Sequence, residues 1–213
     1  MTIYALSSGP GLSGLAVIRI SGDKCIEIVK KMTKGDLPTP RVATLRKIKK
    51  IKSEELIDEG IILWFPGPNS YTGEDLLELH VHGSRAVIDA ILKSISEISD
   101  CRIAEPGEFT KLAFLNGKIN LLEAESISDL ISSETEIQRR QALDIMSGYH
   151  GKKYEAWRSK LLKILSNIEA KIDFPEEDLP KNILNDIVTV SYTHLRAHET
   201  REDRGWRGGV GKK

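Results

Sequence analysis

Apolar runs with strand-like alternation and apolar runs with helical spacing take turns along the first 120 residues. Residues 15–20 form a β-branched run between glycines, and residues 61–65 and 76–81 form two more runs typical of buried strands. After Ser84 the apolar side chains recur at three- and four-residue steps, the spacing of a helix that buries one face. Because short strands and helices are interleaved, the pattern predicts an α+β or α/β fold for this part.

The pattern becomes purely helical near residue 120. Between residues 121 and 172 there is no proline, and the apolar side chains fall at helical intervals. Glycine interrupts this stretch at Gly148 and Gly151. The spacing predicts two long helices that are broken near Gly148.

The chain changes character again at residue 188. Residues 191–213 contain many basic residues and glycines but no apolar period of either kind, so we predict a disordered tail or a segment not native to this protein. Residues 191–200 resemble translated adaptor read-through. The run 208–212 superficially resembles a phosphate-binding loop, but Trp206 and Lys213 stand where that loop needs Gly and Ser or Thr.

Composition excludes several classes of protein. The 31 Lys and Arg balance 31 Asp and Glu, and 40% of the residues are hydrophobic, which excludes disorder of the whole chain and argues against a protein that mainly coats nucleic acid or lipid. With no apolar run of about 18 residues and no export signal at the start, we expect a cytoplasmic protein without a membrane segment. Cys25 and Cys101 are predicted to be two buried thiols.

Three loop regions combine glycine or proline with a nearby charged side chain. The loop 7–14 leads into the strand of Arg19, and the segment 66–78 runs from a loop into the strand that carries Glu78. The turn 105–110 leads into a helix whose end, residues 114–118, presents Lys118. Burying the carboxylate of Glu78 between leucines is costly unless a partner compensates it. Each region also has an ordinary structural explanation: a flexible turn for the first, a solvent-facing strand position for Glu78, and a cation at a helix C-terminus for Lys118.

His80 and His82 alternate along one predicted strand, so both side chains can point to one face. No third ligand follows at a useful spacing, and two histidines alone make a weak zinc site. We therefore expect these side chains to be hydrogen-bonded or exposed. No Ser-His-Asp or Cys-His catalytic pattern is evident.

Taken together, these loops resemble the bacterial tRNA modification GTPase family known as MnmE or TrmE. The similarity covers about residues 1–187, and the PGPNS-TGED loop and the FLNGK turn are its most specific parts. The motifs are LAVIRISG (15–22), WFPGPNSYTGEDLLEL (64–79), AEPGEF (104–109), AFLNGKINL (113–121) and IDFPEE (172–177).

The resemblance implies an α+β, mixed-sheet domain over residues 1–119 that binds folate and dimerises. The first long helices of a helical domain would follow over residues 120–187, and residues 188–213 would be the non-native or disordered tail. In the family a Ras-like G domain is inserted into the helical domain and hydrolyses GTP with potassium and Mg²⁺. These 213 residues contain no P-loop or switch regions, so we do not expect this chain to hydrolyse GTP by itself.

The resemblance also implies partners and a site. The family works with an FAD-dependent partner subunit to install a carboxymethylaminomethyl or aminomethyl group on the wobble uridine of tRNA. Its folate contacts match Arg19, Glu78 and Lys118, with 5-formyltetrahydrofolate as the one-carbon donor. A carboxylate such as Glu78 suits the N–H donors of a pterin ring, and the two cations suit folate's carboxylates and formyl oxygen.

Two other functions remain open from the sequence alone. A free-standing folate-dependent aminomethyl or formyl transferase would carry a similar domain without a G domain further along the gene. A plain dimerisation or RNA-docking module would bind no folate at all.

Overall fold

The computed structural model describes residues 1–9 and 11–173. This chain divides into two compact units, Met1–Ser128 and Asp129–Lys213. The predicted tail at 188–213 and the run 208–212 lie outside the described residues.

A single six-stranded sheet forms the centre of the first unit. Its strand order is β3-β4-β5-β2-β1-β6, and every neighbouring pair is antiparallel except β1 and β6, which are parallel. The sheet is therefore mixed, and the predicted α+β fold is confirmed. The strands are β1 Thr2–Leu6, β2 Ser13–Ser21, β3 Thr44–Lys49, β4 Leu56–Phe65, β5 Leu76–Gly83 and β6 Cys101–Ile103.

Six helices accompany the sheet within the described residues. The helix predicted after Ser84 begins where its side-chain oxygen accepts a hydrogen bond from the Val87 amide, an ordinary N-terminal cap. The helices are α1 Cys25–Thr33, α2 Arg85–Ser96, α3 Glu108–Leu115, α4 Leu121–Ser132, α5 Glu136–Met146 and α6 Tyr149–Asp173.

The core lies on the face of the sheet that carries α1 and α2. Strand alternation places Ile18 and Ile20 of β2 and Leu77 and Leu79 of β5 in this core, each at most 1% exposed. Burying each such side chain contributes roughly 1.5–3 kcal/mol. Because the side-chain period of a strand is two, Arg19 must point to the opposite face, away from the core.

Two predictions from the sequence need correction. The helical part contains three helices rather than two, because Thr135 and Gln138 form a reciprocal capping box that starts a new helix after Ser132. The break near Gly148 is confirmed, and its φ of 76° is one that glycine adopts without strain. Of the two thiols, Cys25 is buried but Cys101, on the three-residue edge strand β6, is only half-buried.

Neither a membrane-spanning helix nor a metal-binding cluster occurs among the described residues. No helix among them is both long and apolar enough to cross a bilayer. The same part of the chain contains no group of three or more His, Cys, Asp or Glu side chains arranged to hold a metal ion.

Candidate functional site

Arg19 and Glu78 are directly opposite each other on the central strands β2 and β5. Both Nε and Nη2 of Arg19 donate hydrogen bonds to Oε1 of Glu78, at 3.1 and 2.9 Å. The side chains are 30% and 16% exposed, on the face opposite the core. Sequence reasoning that a carboxylate among leucines needs a partner is thus correct, and the chain itself supplies a partner.

The second oxygen of Glu78 has a weaker neighbour. Nε2 of His80 lies 3.3 Å from Oε2 of Glu78. A carboxylate offers about four acceptor positions, so Oε2 retains capacity for another donor. Nδ1 of His82, in contrast, lies 2.8 Å from Oδ1 of Asp58. The two histidines are therefore hydrogen-bonded to different carboxylates, as expected from the sequence.

Two aromatic rings flank the Arg19 guanidinium. Its Cζ atom is 5.6 Å from the centre of the Tyr71 ring and 5.7 Å from the centre of the Phe109 ring. The hydroxyl groups of Tyr71 and Thr110 are hydrogen-bonded at 3.0 Å. Three segments that are distant in sequence, namely β2, the loop after β4 and the start of α3, therefore meet at one cation.

The loop 66–75 that carries Tyr71 is fastened to its surroundings by polar contacts. The buried hydroxyls of Ser21 and Thr72 are 2.7 Å apart, and the side-chain amide of Asn116 donates to the carbonyl of Thr72 at 2.7 Å. Gly73 has a φ of 81°, and a Cβ at this position would be 3.0 Å from Cε of Lys118. A larger residue would therefore be strained in its backbone and would press on the lysine side chain.

Lys118 is exposed and lies against the loop of Tyr71. The turn before it ends α3, where Gly117 has a φ of 65° and the amide of Lys118 donates to the carbonyl of Ala113 at 2.8 Å. The structure thus brings the second and third loop regions together, with the Arg19–Glu78 pair next to the second.

The first loop region, 7–14, begins beside β2. The amide of Ser7 donates to the carbonyl of Val17 at 2.8 Å, and the amide of Val17 donates to Oγ of Ser8 at 3.2 Å. The start of this loop therefore lies against a residue two positions before Arg19 on β2, whereas Leu12, further along the loop, is 91% exposed.

An ion pair fixes the start of α3, next to Phe109. The guanidinium of Arg102 donates to both oxygens of Glu108, and the backbone amide of Glu105 donates to Oε2 of the same carboxylate at 2.8 Å. The pKa of Glu108 is lowered from 4.5 to about 2, mainly by the hydrogen bonds from Arg102, with burial acting in the opposite direction and the Glu105 amide adding to the lowering. The charged form of Glu108 is therefore favoured in the folded chain.

This ion pair predicts a pH-dependent loss of stability. Because the folded pKa is depressed from 4.5 to about 2, the stabilisation is complete above pH 4.5 and disappears as the pH falls toward 2. Allowing for the 40% exposure of Arg102, we expect Glu108→Gln to lower the free energy of unfolding at pH 7 by about 1–2 kcal/mol. Urea unfolding at several pH values, followed through the indole NMR signal of buried Trp64, measures this difference.

As the pH falls through 2, the difference in stability between Glu108→Gln and the unmodified chain should disappear. Glu59→Gln, which changes an exposed carboxylate on β4, is the matched control and should follow the unmodified chain. A constant difference between Glu108→Gln and the unmodified chain from pH 7 to pH 2 would contradict the prediction.

The sequence pointed to Arg19, Glu78 and Lys118, and strand alternation also drew attention to His80, although not as a neighbour of the ion pair. The aromatic neighbours Tyr71 and Phe109 were missed, because no periodicity marks them. A signal was present for both, since each stands inside one of the glycine- and proline-rich motifs quoted above.

Comparison with known proteins now places the chain. Residues 2–118 match the family model described as the GTP-binding protein TrmE N-terminus. The chain belongs to the TrmE family. Residues 121–204 match the MnmE helical domain, a range that extends past residue 187 into the predicted tail.

Relatives of this TrmE family member come from bacteria and from a vertebrate. The chain is 66% identical over 191 residues to a tRNA modification GTPase MnmE of Pelagibacter ubique, covering 90% of this chain and 43% of the relative. It is 48% identical over 186 residues to the MnmE of Rickettsia akari, covering 87% and 42%. A mitochondrial 5-taurinomethyluridine tRNA synthase subunit of Danio rerio is 47% identical over 210 residues, covering 97% and 42%. The chain spans less than half the length of these relatives.

Proposed function

We propose that the chain binds a reduced folate, 5-formyltetrahydrofolate, through Arg19, Glu78 and Lys118. The observation that supports this most directly is the Arg19–Glu78 pair on the sheet face opposite the core, with Lys118 against the adjoining loop. Two cations and a carboxylate in neighbouring segments suit a ligand that combines carboxylates with ring N–H groups.

Each side chain has a chemical task in this proposal. Oε2 of Glu78 accepts from a pterin N–H, while Arg19 and Lys118 bind anionic or carbonyl oxygens of the ligand. The three proposed contacts, Arg19, Glu78 and Lys118, include no hydroxyl or thiol that could act as a covalent nucleophile. We infer that this domain presents a one-carbon donor to chemistry that is carried out elsewhere.

The whole protein's activity is part of the same proposal. The relatives are named as tRNA modification GTPases, and this chain corresponds to about 43% of such a protein. We propose that the longer protein is cytoplasmic, dimerises through its N-terminal domain, and hydrolyses GTP with potassium and Mg²⁺. With an FAD-dependent partner subunit it would install the carboxymethylaminomethyl or aminomethyl group on the wobble uridine of tRNA.

Titration calorimetry of the chain with 5-formyltetrahydrofolate tests the binding proposal. We expect saturable binding with one folate per chain and a Kd below about 100 µM, since two charge-assisted contacts and an aromatic ligand commonly reach this range. Lys118→Ala should weaken binding about three- to tenfold, because Lys118 is exposed and its charge is partly screened.

The matched control is Lys52→Ala, which removes an exposed lysine from the loop after β3 and should leave the Kd unchanged. Absence of saturable heat at millimolar folate, with the fold verified by NMR, would remove the folate proposal and favour a module without a small ligand.

A further inference from the structure

The Arg19 guanidinium contacts more groups than an ordinary ion pair requires. Nε and Nη2 are both directed at Oε1 of Glu78, and the rings of Tyr71 and Phe109 lie within 6 Å of Cζ. A cation at this distance from an aromatic face is attracted by the ring quadrupole, more strongly where water is partly excluded. Arg19 is 30% exposed, so its contacts are partly shielded from water.

This arrangement leaves one edge of the guanidinium available. Among residues 1–9 and 11–173, no oxygen accepts a hydrogen bond from Nη1 of Arg19. Nη1 is therefore the atom that can meet an anionic or carbonyl oxygen of a ligand. An arginine ordered before binding loses less side-chain entropy when the ligand arrives, which increases affinity.

The aromatic rings are themselves fixed from outside the ion pair. The hydroxyl of Tyr71 is hydrogen-bonded to that of Thr110, and the Arg102–Glu108 pair holds the turn that precedes Phe109. Neither ring belongs to the buried core of the sheet. Their position is thus maintained by polar contacts around Arg19, which is unusual for residues whose role is only packing.

We propose that Tyr71 and Phe109 are positioning residues, which hold the Arg19 guanidinium against Glu78 and direct its Nη1 edge toward an anionic or carbonyl oxygen of the bound folate. This rests on the folate function proposed above. The two rings act through Arg19 and not through direct contact with the ligand.

A double-mutant cycle with calorimetry tests this on the full chain. Phe109→Leu and Tyr71→Leu keep apolar bulk but remove the ring, and each should raise the Kd for 5-formyltetrahydrofolate about three- to tenfold. In an Arg19→Gln background the same two changes should alter the Kd by less than about twofold, because the group they position is gone. Phe109→Tyr and Tyr71→Phe keep an aromatic ring at each position, so their Kd for folate should stay close to that of the unmodified chain.

The matched control is Phe65→Leu, whose ring faces Arg41 at 5.9 Å and not Arg19. It should leave folate affinity unchanged. The proposal is overturned if Phe109→Leu and Tyr71→Leu weaken folate binding equally with Arg19 present and in the Arg19→Gln background. It is also overturned if these variants leave the folate affinity unchanged when Arg19 is present.

A second measurement separates this proposal from the folate function. The Nε–H proton of Arg19, assigned by its loss in Arg19→Gln, is hydrogen-bonded to Glu78 and lies near both rings, so its chemical shift reports the position of the guanidinium without folate. This shift should change in Phe109→Leu and Tyr71→Leu but not in Phe65→Leu. An unchanged Nε–H signal in both leucine variants overturns the positioning even when folate binds, whereas absence of folate binding alone overturns the folate function.

Discussion

Replacing Glu78 by alanine is expected to weaken the binding of 5-formyltetrahydrofolate by about 10- to 100-fold. A hydrogen bond to a charged group is worth about 1.5–3 kcal/mol, and the substitution removes both the acceptor at Oε2 and the anchor of Arg19 at Oε1. The effect should appear in calorimetry of the full chain as a rise in Kd with an unchanged stoichiometry.

Glu59→Ala is the control for this change. Glu59 is an exposed carboxylate on the neighbouring strand β4, so its removal alters the net charge by the same amount without touching the ion pair. Folate affinity should then equal that of the unmodified chain. Unchanged affinity in Glu78→Ala, with native NMR dispersion, would eliminate Glu78 from the site.

Replacing Leu79 by alanine is expected to destabilise the first unit by about 3–4 kcal/mol. Leu79 is 1% exposed in the central strand β5, and buried leucine-to-alanine changes cost 2–5 kcal/mol through lost burial and the cavity left behind. Urea unfolding followed through the Trp64 indole signal reports this unit, because Trp64 lies in the same core.

Leu45→Ala makes the same chemical change at a strand position that is 64% exposed. It should alter the free energy of unfolding by less than about 0.5 kcal/mol. A comparable loss in both variants would mean that Leu79 does not lie in a close-packed core.

The two central strands were predictable from their apolar residues. Residues 15–20 are almost entirely apolar and residues 77–81 alternate between apolar and polar side chains, and they became the paired strands β2 and β5. The helical part was less predictable. Its capping box at Thr135 is a short polar signal inside a long helical pattern. Because the apolar spacing continues across this position, the spacing alone does not show that one helix ends and another begins there.

The three candidate site residues stood out in the sequence for different reasons. Glu78 was conspicuous because a carboxylate between leucines demands a partner, whereas Arg19 and Lys118 stood out through the motifs that carry the family resemblance. Tyr71 and Phe109 were missed, since a ring near a cation is a contact between distant segments and leaves no local period.

The amino-acid sequence alone determined the family, the strands β2, β4 and β5, and the helix that follows Ser84. These properties follow from local periodicity and from short motifs, which act over a few residues. Only the tertiary structure decided that Arg19 faces Glu78, that two aromatic rings flank the guanidinium, and that Lys118 lies against the loop of Tyr71. Strand register and loop packing set these relations, and both depend on contacts between residues that are far apart along the chain.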